Sequence, residues 1–392
     1  MLQRTTISFF GRTNAGKSSL VNALTNQNMS IVSEIKGTTT DPVKKVMELL
    51  PIGPITIIDT PGFDDESELG SKRIEKTLEI LNQTQIAVLV CDAKEKNPLD
   101  EKEKILIEKF KEKEIPYIII FNKCDSLDSV IQQAPIENSI CVSAKKAINI
   151  DELKKRIAEL GSTLKMRPLI SDLVKPGEVV VLVIPIDESA PKDRLILPQQ
   201  MVLRELLETK TVPICSQVEN LESVLKTISK KASLVITDSQ AFEKVSKIVP
   251  DNIPLTSFSI IMARFKGSLE YSLKCVKSLD RLGDGDKILI SEGCTHHRQC
   301  KDIGTVKMPS WIQKYTDKKI EFKFSSGADF PKNLSEFSLV IHCGGCMLNE
   351  MQMKNRIIQC KEQGIPITNY GMTIAYMNEI LPRALRPLNI EL

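Results

Sequence analysis

The sequence predicts an α/β protein: a mostly parallel sheet with helices on both faces, followed by two smaller α/β units. Two observations carry this. Short apolar strands alternate with amphipathic helices from residue 5 to about 165, and the alternation resumes after a proline-containing segment at 166–178. The length, 392 residues, also exceeds what one ordinary core holds.

In chain order, TTISFFG (5–11) reads as the first strand, and ITIID (55–59), IAVLVC (86–91) and YIIIF (117–121) as buried strands. Helices are expected at about 101–113 and 151–160; the lysines of 94–113 alternate with glutamates, as on a solvated helix face. The stretch MRPLISDLVKPGE reads as a linker. Beyond it, 179–186 and 233–238 read as strands, and 201–210 and 221–232 as helices. The last block opens with helix LEYSLKCVKSL and turn GDGD. Strand KILISE then leads to Cys294, and strand SLVIHC leads to Cys346 and a helix at 347–363. The expected domains are therefore 1–165, 172–265 and 266–392. No solenoid-type repeat is visible.

Hydrophobic residues make up 42% of the chain and charged residues 26%, as in a soluble globular protein. A net charge of +3 provides no basic field, so no nucleic-acid partner is expected. No apolar run approaches the roughly 20 residues of a membrane span. The first strand follows Met1 too closely for a leader peptide, so a cytoplasmic location is expected. Ten cysteines in such a compartment point to buried thiols plus a metal site, not disulfides.

Gly11-Arg12-Thr13-Asn14-Ala15-Gly16-Lys17-Ser18 matches G-x-x-x-x-G-K-[ST] between a strand and a helix. Glycines let backbone N–H groups wrap phosphates. Lys17 is expected on the β- and γ-phosphates, Ser18 on Mg²⁺, and Ala15 and Ser19 along the same phosphate loop. Asp59-Thr60-Pro61-Gly62 ends a strand, placing Asp59 for the Mg²⁺ shell and the Gly62 N–H for the γ-phosphate. In Asn122-Lys123-Cys124-Asp125 the Asp125 carboxylate suits guanine N1–H and its 2-amino group; adenine would leave it unpaired. Ser143-Ala144-Lys145 offers a backbone N–H to guanine O6. The nucleotide implied is GTP.

The segment Gly37-Thr38-Thr39-Thr40-Asp41-Pro42 supplies a threonine to complete the Mg²⁺ shell. Over about 1–165 this set resembles the translation-factor-related small GTPases, which include tRNA-modification and ribosome-assembly enzymes. That resemblance makes Thr39 the switch threonine and the fold a Ras-like P-loop GTPase. Phe63 stands where many GTPases have a water-orienting glutamine, which predicts that intrinsic hydrolysis is slow or uses another device. Asn14 resembles the potassium-coordinating asparagine of the K⁺-activated members, so K⁺ joins GTP and Mg²⁺ among the expected cofactors.

All three histidines lie within three residues of a cysteine, in Cys294-Thr295-His296-His297 and His342-Cys343-Gly344-Gly345-Cys346. The pattern is C-x-H…H-C-x-x-C. Zinc, an iron–sulfur cluster and a redox Cys343/Cys346 pair all suit it. His342 and His296 are candidate ligands or supporting donors, with His342 favoured because it adjoins Cys343. Cys300 reads as a spare thiol.

A GTPase unit joined to these cysteine motifs resembles the FeFe-hydrogenase maturation GTPases, the HydF family, over essentially the whole chain. The resemblance rests further on CTHHRQC, DIGTVK and HCGGCM. It implies a middle dimerisation domain, a homodimer, and a cluster-binding domain with a 4Fe–4S cluster on Cys294, Cys343 and Cys346. It also implies a scaffold that receives a di-iron precursor from two radical-SAM maturases and delivers it to apo FeFe-hydrogenase. The rival expectation is an RNA-modification or ribosome-assembly GTPase with a zinc-binding C-terminal domain.

Overall fold

The computed structural model describes residues 4–25, 43–62, 76–95, 99–126, 136–164, 167–186, 195–293, 302–327 and 329–391. The chain divides into two compact units, 2–166 and 167–392.

The first unit is built on a six-stranded sheet of order β2-β3-β1-β4-β5-β6. Its strands are β1 (Thr5–Gly11), β2 (Val43–Leu49), β3 (Gly53–Asp59), β4 (Ile86–Asp92), β5 (Tyr117–Asn122) and β6 (Ser139–Cys141). All pairings are parallel except the edge pair β2–β3. β1 and β4 are buried nearly throughout, because helices cover both faces of a parallel sheet. Helix α1 (Lys17–Thr25) follows β1 directly. Helix α2 (Glu101–Glu112) starts at a capping box between Asp100 and Glu103 and buries Leu106, Ile107 and Phe110. Its lysines and remaining glutamates face water. Helix α3 (Ile150–Thr163) packs Leu153 and Ile157 into the same core as Ile7, Phe9 and Val88.

The second unit holds two four-stranded sheets, each fully parallel. One comprises β7 (Val179–Val183), β8 (Val212–Ser216), β9 (Leu234–Thr237) and β10 (Leu255–Ser257), in the order β8-β7-β9-β10. The other comprises β11 (Lys287–Glu292), β12 (Glu321–Ser326), β13 (Leu339–His342) and β14 (Ile367–Asn369), in the order β12-β11-β13-β14. The two orders are the same. Ser233-Leu234-Val235-Ile236 recurs as Ser338-Leu339-Val340-Ile341, and Ile253-Pro254-Leu255-Thr256 as Ile365-Pro366-Ile367-Thr368. This is a duplicated sheet, distinct from a solenoid. His342 and Cys343 occupy the places of Thr237 and Asp238.

The helices of this unit are α4 (Leu197–Glu208), α5 (Leu221–Thr227), α6 (Phe242–Ile248), α7 (Phe258–Phe265), α8 (Leu269–Val276), α9 (Met308–Thr316), α10 (Glu350–Glu362), α11 (Tyr370–Met377) and α12 (Leu381–Leu385). One core joins both sheets, with Val181, Val235 and Leu255 in the same cluster as Ile288, Ile290 and Ile341. α7 and α11 follow the equivalent strands β10 and β14, and their first turns meet. A Cβ on Gly371 would lie 2.5 Å from the Ser259 Cβ, so this approach needs glycine.

Several boundaries differ from expectation; the helix expected over 201–210, for example, runs Leu197–Glu208. The helix expected over 221–232 stops at Thr227, because Ile228 turns to extended backbone ahead of a charged segment. The helix expected from 347 begins at Glu350, where Asn349 and Gln352 form a capping box. The segment expected as a linker at 166–178 carries Leu169 and Ile170, which are buried in the second unit.

Candidate functional site

In the first unit, the predicted nucleotide residues collect at the carboxyl ends of β1, β3, β5 and β6, where open α/β sheets bind ligands. After β1 the chain turns through Asn14 (φ +63°) and Gly16 (φ +88°). Lys17 is buried and its ammonium donates to the carbonyls of Gly11 and Arg12, each at 2.8 Å. A Cβ on Gly16 would lie 2.2 Å from Asn122 Nδ2, so the loop tolerates only glycine there. A Cβ on Gly62 would meet Thr13 Oγ1 at 2.3 Å, which brings the Asp59–Gly62 turn against the phosphate loop.

Ser18 Oγ donates to Asp59 Oδ2 at 2.5 Å. The other carboxylate oxygen, Oδ1, is buried without a hydrogen-bond partner. Burial holds the Asp59 carboxyl above the usual carboxylate range, with Ser18 and then Lys17 opposing. A hydroxyl beside an orphaned carboxylate oxygen is a donor set that fits Mg²⁺.

The base-recognition residues brace the phosphate loop. Asn122 Nδ2 donates to the Ala15 carbonyl at 3.0 Å, and Lys123 Nζ to the Asn14 carbonyl at 2.7 Å and Asp92 Oδ2 at 2.6 Å. Asp125 accepts from Ser143 Oγ at 2.7 Å, a bond that lowers its pKa. Ala144 N–H is held by Asn122 Oδ1 at 3.2 Å and Lys146 N–H by Ser143 Oγ at 3.1 Å. Ser19 lies in the first turn of α1. Thr39 and Phe63 lie outside the described residues.

One feature of this site was not foreseen. Arg12 pairs with Glu103 at 3.2 Å, Glu95 at 3.4 Å and Asp100 at 3.6 Å, tying the phosphate loop to the start of α2. Arg12 reaches the capping-box residues Asp100 and Glu103 themselves.

In the second unit, Cys343 and Cys346 occupy the loop between β13 and α10. The Cys343 amide donates to the Ser291 carbonyl at 2.8 Å. Its Sγ accepts N–H bonds from Gly293 at 3.1 Å and Gly345 at 3.4 Å. Gly345 takes φ +63°, which turns its amide back to the sulfur. Two backbone donors favour the thiolate over the thiol, so this loop fits a metal-bound sulfur. Burial pushes the Cys346 thiol up, with Lys266 opposing. Gly293 is the residue before Cys294. Cys294 and His296, like His297 and Cys300, lie outside the described residues, and no group of three candidate metal ligands forms among the described ones.

His342 is expected from the sequence as a ligand or supporting donor, and its ring nitrogens are engaged within the protein. Its ring is fully buried, with Nε2 2.6 Å from Arg356 Nη1 and Nδ1 2.7 Å from the Cys343 carbonyl. A guanidinium only donates, so Nε2 accepts and Nδ1 carries the proton. Both nitrogens are occupied. Burial, with Arg356 adding to it, pulls the His342 pKa down to about 3. Its role here is to support the Cys343 backbone.

The fold and site define a protein of one class: a P-loop GTPase domain followed by two similar parallel α/β sheets, with a paired-cysteine loop on the second. Residues 6–123 match the family model of a 50S ribosome-binding GTPase. Residues 169–267 match the hydrogen maturase F dimerization domain, and 270–387 the hydrogen maturase F tetramerization domain. These last two follow one another over more than half of the chain. The chain belongs to the hydrogen maturase F (HydF) family of GTPases.

Among curated proteins, the tRNA modification GTPase MnmE of Desulforamulus reducens is 34% identical over 154 residues, covering 38% of this chain and 32% of that protein. MnmE of Flavobacterium psychrophilum is 34% identical over 167 residues, covering 41% and 36%. The chain thus spans about a third of the length of these relatives. Among solved structures, Aquifex aeolicus Era covers 55% of this chain and 93% of its own at 20% identity and a TM-score of 0.36. The G domain of the T. maritima FeoB iron transporter covers 40% and 99%, at 25% identity and a TM-score of 0.30. No conclusion rests on these structural likenesses. No helix among the described residues is long and apolar enough to cross a membrane.

Proposed function

We propose that this chain is a GTP-hydrolysing scaffold that holds a 4Fe–4S cluster on Cys294, Cys343 and Cys346. It carries a di-iron precursor, made by two radical-SAM maturases, to apo FeFe-hydrogenase. The observation that supports this most is the Gly293 N–H bond to Cys343 Sγ, which brings the chain to within one residue of Cys294 against the second cysteine loop. When bound, a cluster on three thiolates supplies an iron with an exchangeable position, suited to a cargo that must leave. The protein's own groups supply thiolates and N–H donors around it.

GTP hydrolysis acts as a switch on partner contacts. Lys17 and the loop amides bind phosphate, and Ser18 and Asp59 hold Mg²⁺. Thr39 joins the Mg²⁺ shell in the triphosphate state, and Asn14 takes K⁺ to place positive charge near the β–γ bridge. Turnover is then faster in potassium than in sodium salts, and Asn14→Ala abolishes the difference; equal rates in both salts for the wild type would contradict the K⁺ role. The functional form is a cytoplasmic homodimer or an assembly of dimers, with 172–265 as dimerisation domain and 266–392 as cluster domain.

The test is transfer. Wild-type protein incubated with the two maturases is expected to activate apo-hydrogenase, and Cys343→Ser to fail while still hydrolysing GTP. Activation by Cys343→Ser would refute the scaffold role. Stoichiometric zinc with no iron would instead favour the RNA-related GTPase.

A further inference from the structure

Two buried cations flank the Cys343–Cys346 loop. Lys266, at the end of α7, is 2% exposed, and its ammonium donates to the Leu348 carbonyl at 2.6 Å. Burial lowers its pKa to about 8, with Cys346 and then Glu350 opposing. Glu350 is 3.8 Å from Arg167, and it forms no ion pair with Lys266. Arg356, on α10, is 8% exposed. Its donors go to His342 Nε2, Ser291 Oγ and the Gly327 carbonyl, and its plane lies 4.8 Å from the Phe330 ring centroid. Burial lowers its pKa, with Cys343 and then Cys360 opposing.

Neither cation has a carboxylate partner among the described residues. The segment 294–301, CTHHRQCK, contains no Asp or Glu to provide one. A buried charge is costly unless it is paired. The neutral hydrogen-bond acceptors satisfy donors but do not balance two positive charges. Apart from Glu350, which acts on Lys266 without pairing with it, the groups placed to balance them are the sulfurs of Cys343 and Cys346 and whatever those sulfurs bind. The apolar and neutral surroundings also exclude an ordinary surface ion-pair role, since Lys266 and Arg356 are each turned inward.

We propose that Lys266 and Arg356 are positioning residues that provide the counter-charge for an anionic thiolate-bound iron–sulfur core and raise its reduction potential. This rests on the cluster reading above. A positive charge near a cluster favours the reduced, more negative state, so removing it lowers the potential.

The test uses the full chain, reconstituted anaerobically with iron and sulfide, with iron per chain and the midpoint potential as readouts. Lys266→Met and Arg356→Met keep an unbranched apolar stem, shorter than the original side chain, and lose the charge. Each is expected to lower the potential or the iron content, and Arg356→Lys to return both toward wild type. Lys318→Met, at an exposed site, is the control and stays at wild-type values. Met variants that are folded by circular dichroism and keep full iron and the wild-type potential would overturn the proposal. Failure of the wild type to take up iron overturns the cluster reading itself, and this inference with it. The two cations are tested separately, so a variant that does not fold leaves the other to decide.

Discussion

The backbone N–H of Gly293 donates to Cys343 Sγ at 3.1 Å, joining two loops that are 50 residues apart in sequence. The contact is specific to glycine. A Cβ at 293 would lie 2.9 Å from Leu348 Cγ and 3.4 Å from Gly345 Cα. It follows from the parallel pairing of β11 with β13, which sets Ser291 beside His342 and sends both chains out of the same end of the sheet. The duplicated sheet has the same geometry but carries Thr237 and Asp238 there. Thiol chemistry has thus been placed on one copy of a two-copy scaffold.

We propose that guanine selectivity rests on Asp125. Asp125→Asn replaces one of its two acceptor oxygens with a donor that opposes the guanine 2-amino group, and is expected to cost about 3 kcal/mol, roughly 100-fold in GTP affinity. Binding of xanthosine triphosphate should improve, because its O2 accepts from the new amide. Titration with fluorescent nucleotides measures both. Unchanged GTP affinity would remove the guanine assignment.

Two buried hydroxyls, Thr256 Oγ1 on β10 and Thr368 Oγ1 on β14, have no hydrogen-bond partner. They are equivalent positions of the two sheets. Valine has the same shape and no desolvated polar atom, so Thr256→Val and Thr368→Val should each stabilise the second unit by about 1 kcal/mol. That corresponds to a rise of about 2–4 °C in Tm for a unit of this size. Calorimetry checks it, and a fall in Tm would show that these hydroxyls do useful bonding.

Tyr315 and Tyr376 both donate to Asp280, at 2.8 and 2.5 Å. Burial first, then the Asp280 bond, pushes Tyr315 up to about 12; for Tyr376 the Asp280 bond comes first and the value is also about 12. The folded state therefore keeps protons that the unfolded state loses above pH 10. Stability from this contact is complete below pH 10 and is lost as pH rises through 12. Burial also pushes Tyr271 and Tyr370 up, so ultraviolet titration should show these two phenolates among the late ones, and Asp280→Asn should move only Tyr315 and Tyr376 earlier. Ordinary titration of all five tyrosines would contradict the contact.

Much of the first unit was legible because its chemistry is local. A phosphate loop, an Asp-x-x-Gly turn and an Asn-Lys-x-Asp strand end each announce their role within a few residues. The cysteine loop was legible for the same reason. What was not legible depends on long-range pairing. Arg12 and Glu103 are 91 residues apart and look like surface charges. Arg356 sits in a helix rich in polar residues, where nothing in the sequence separates a buried guanidinium from a solvated one. His342 looked like a ligand because it adjoins Cys343, yet that neighbour's carbonyl and Arg356 take up its ring. The duplication was hidden because its identities are confined to short strand segments, where any buried strand is apolar.

The central claim is that thiolates from the β11 and β13 loops share one iron–sulfur core. The most direct measurement is iron and sulfide per chain after anaerobic reconstitution, compared between wild type, Cys294→Ser and Cys343→Ser. About four irons and a brown absorbance in wild type, lost in both variants while GTP hydrolysis persists, is the predicted result. Full iron retention in Cys294→Ser, or none in wild type, would contradict it.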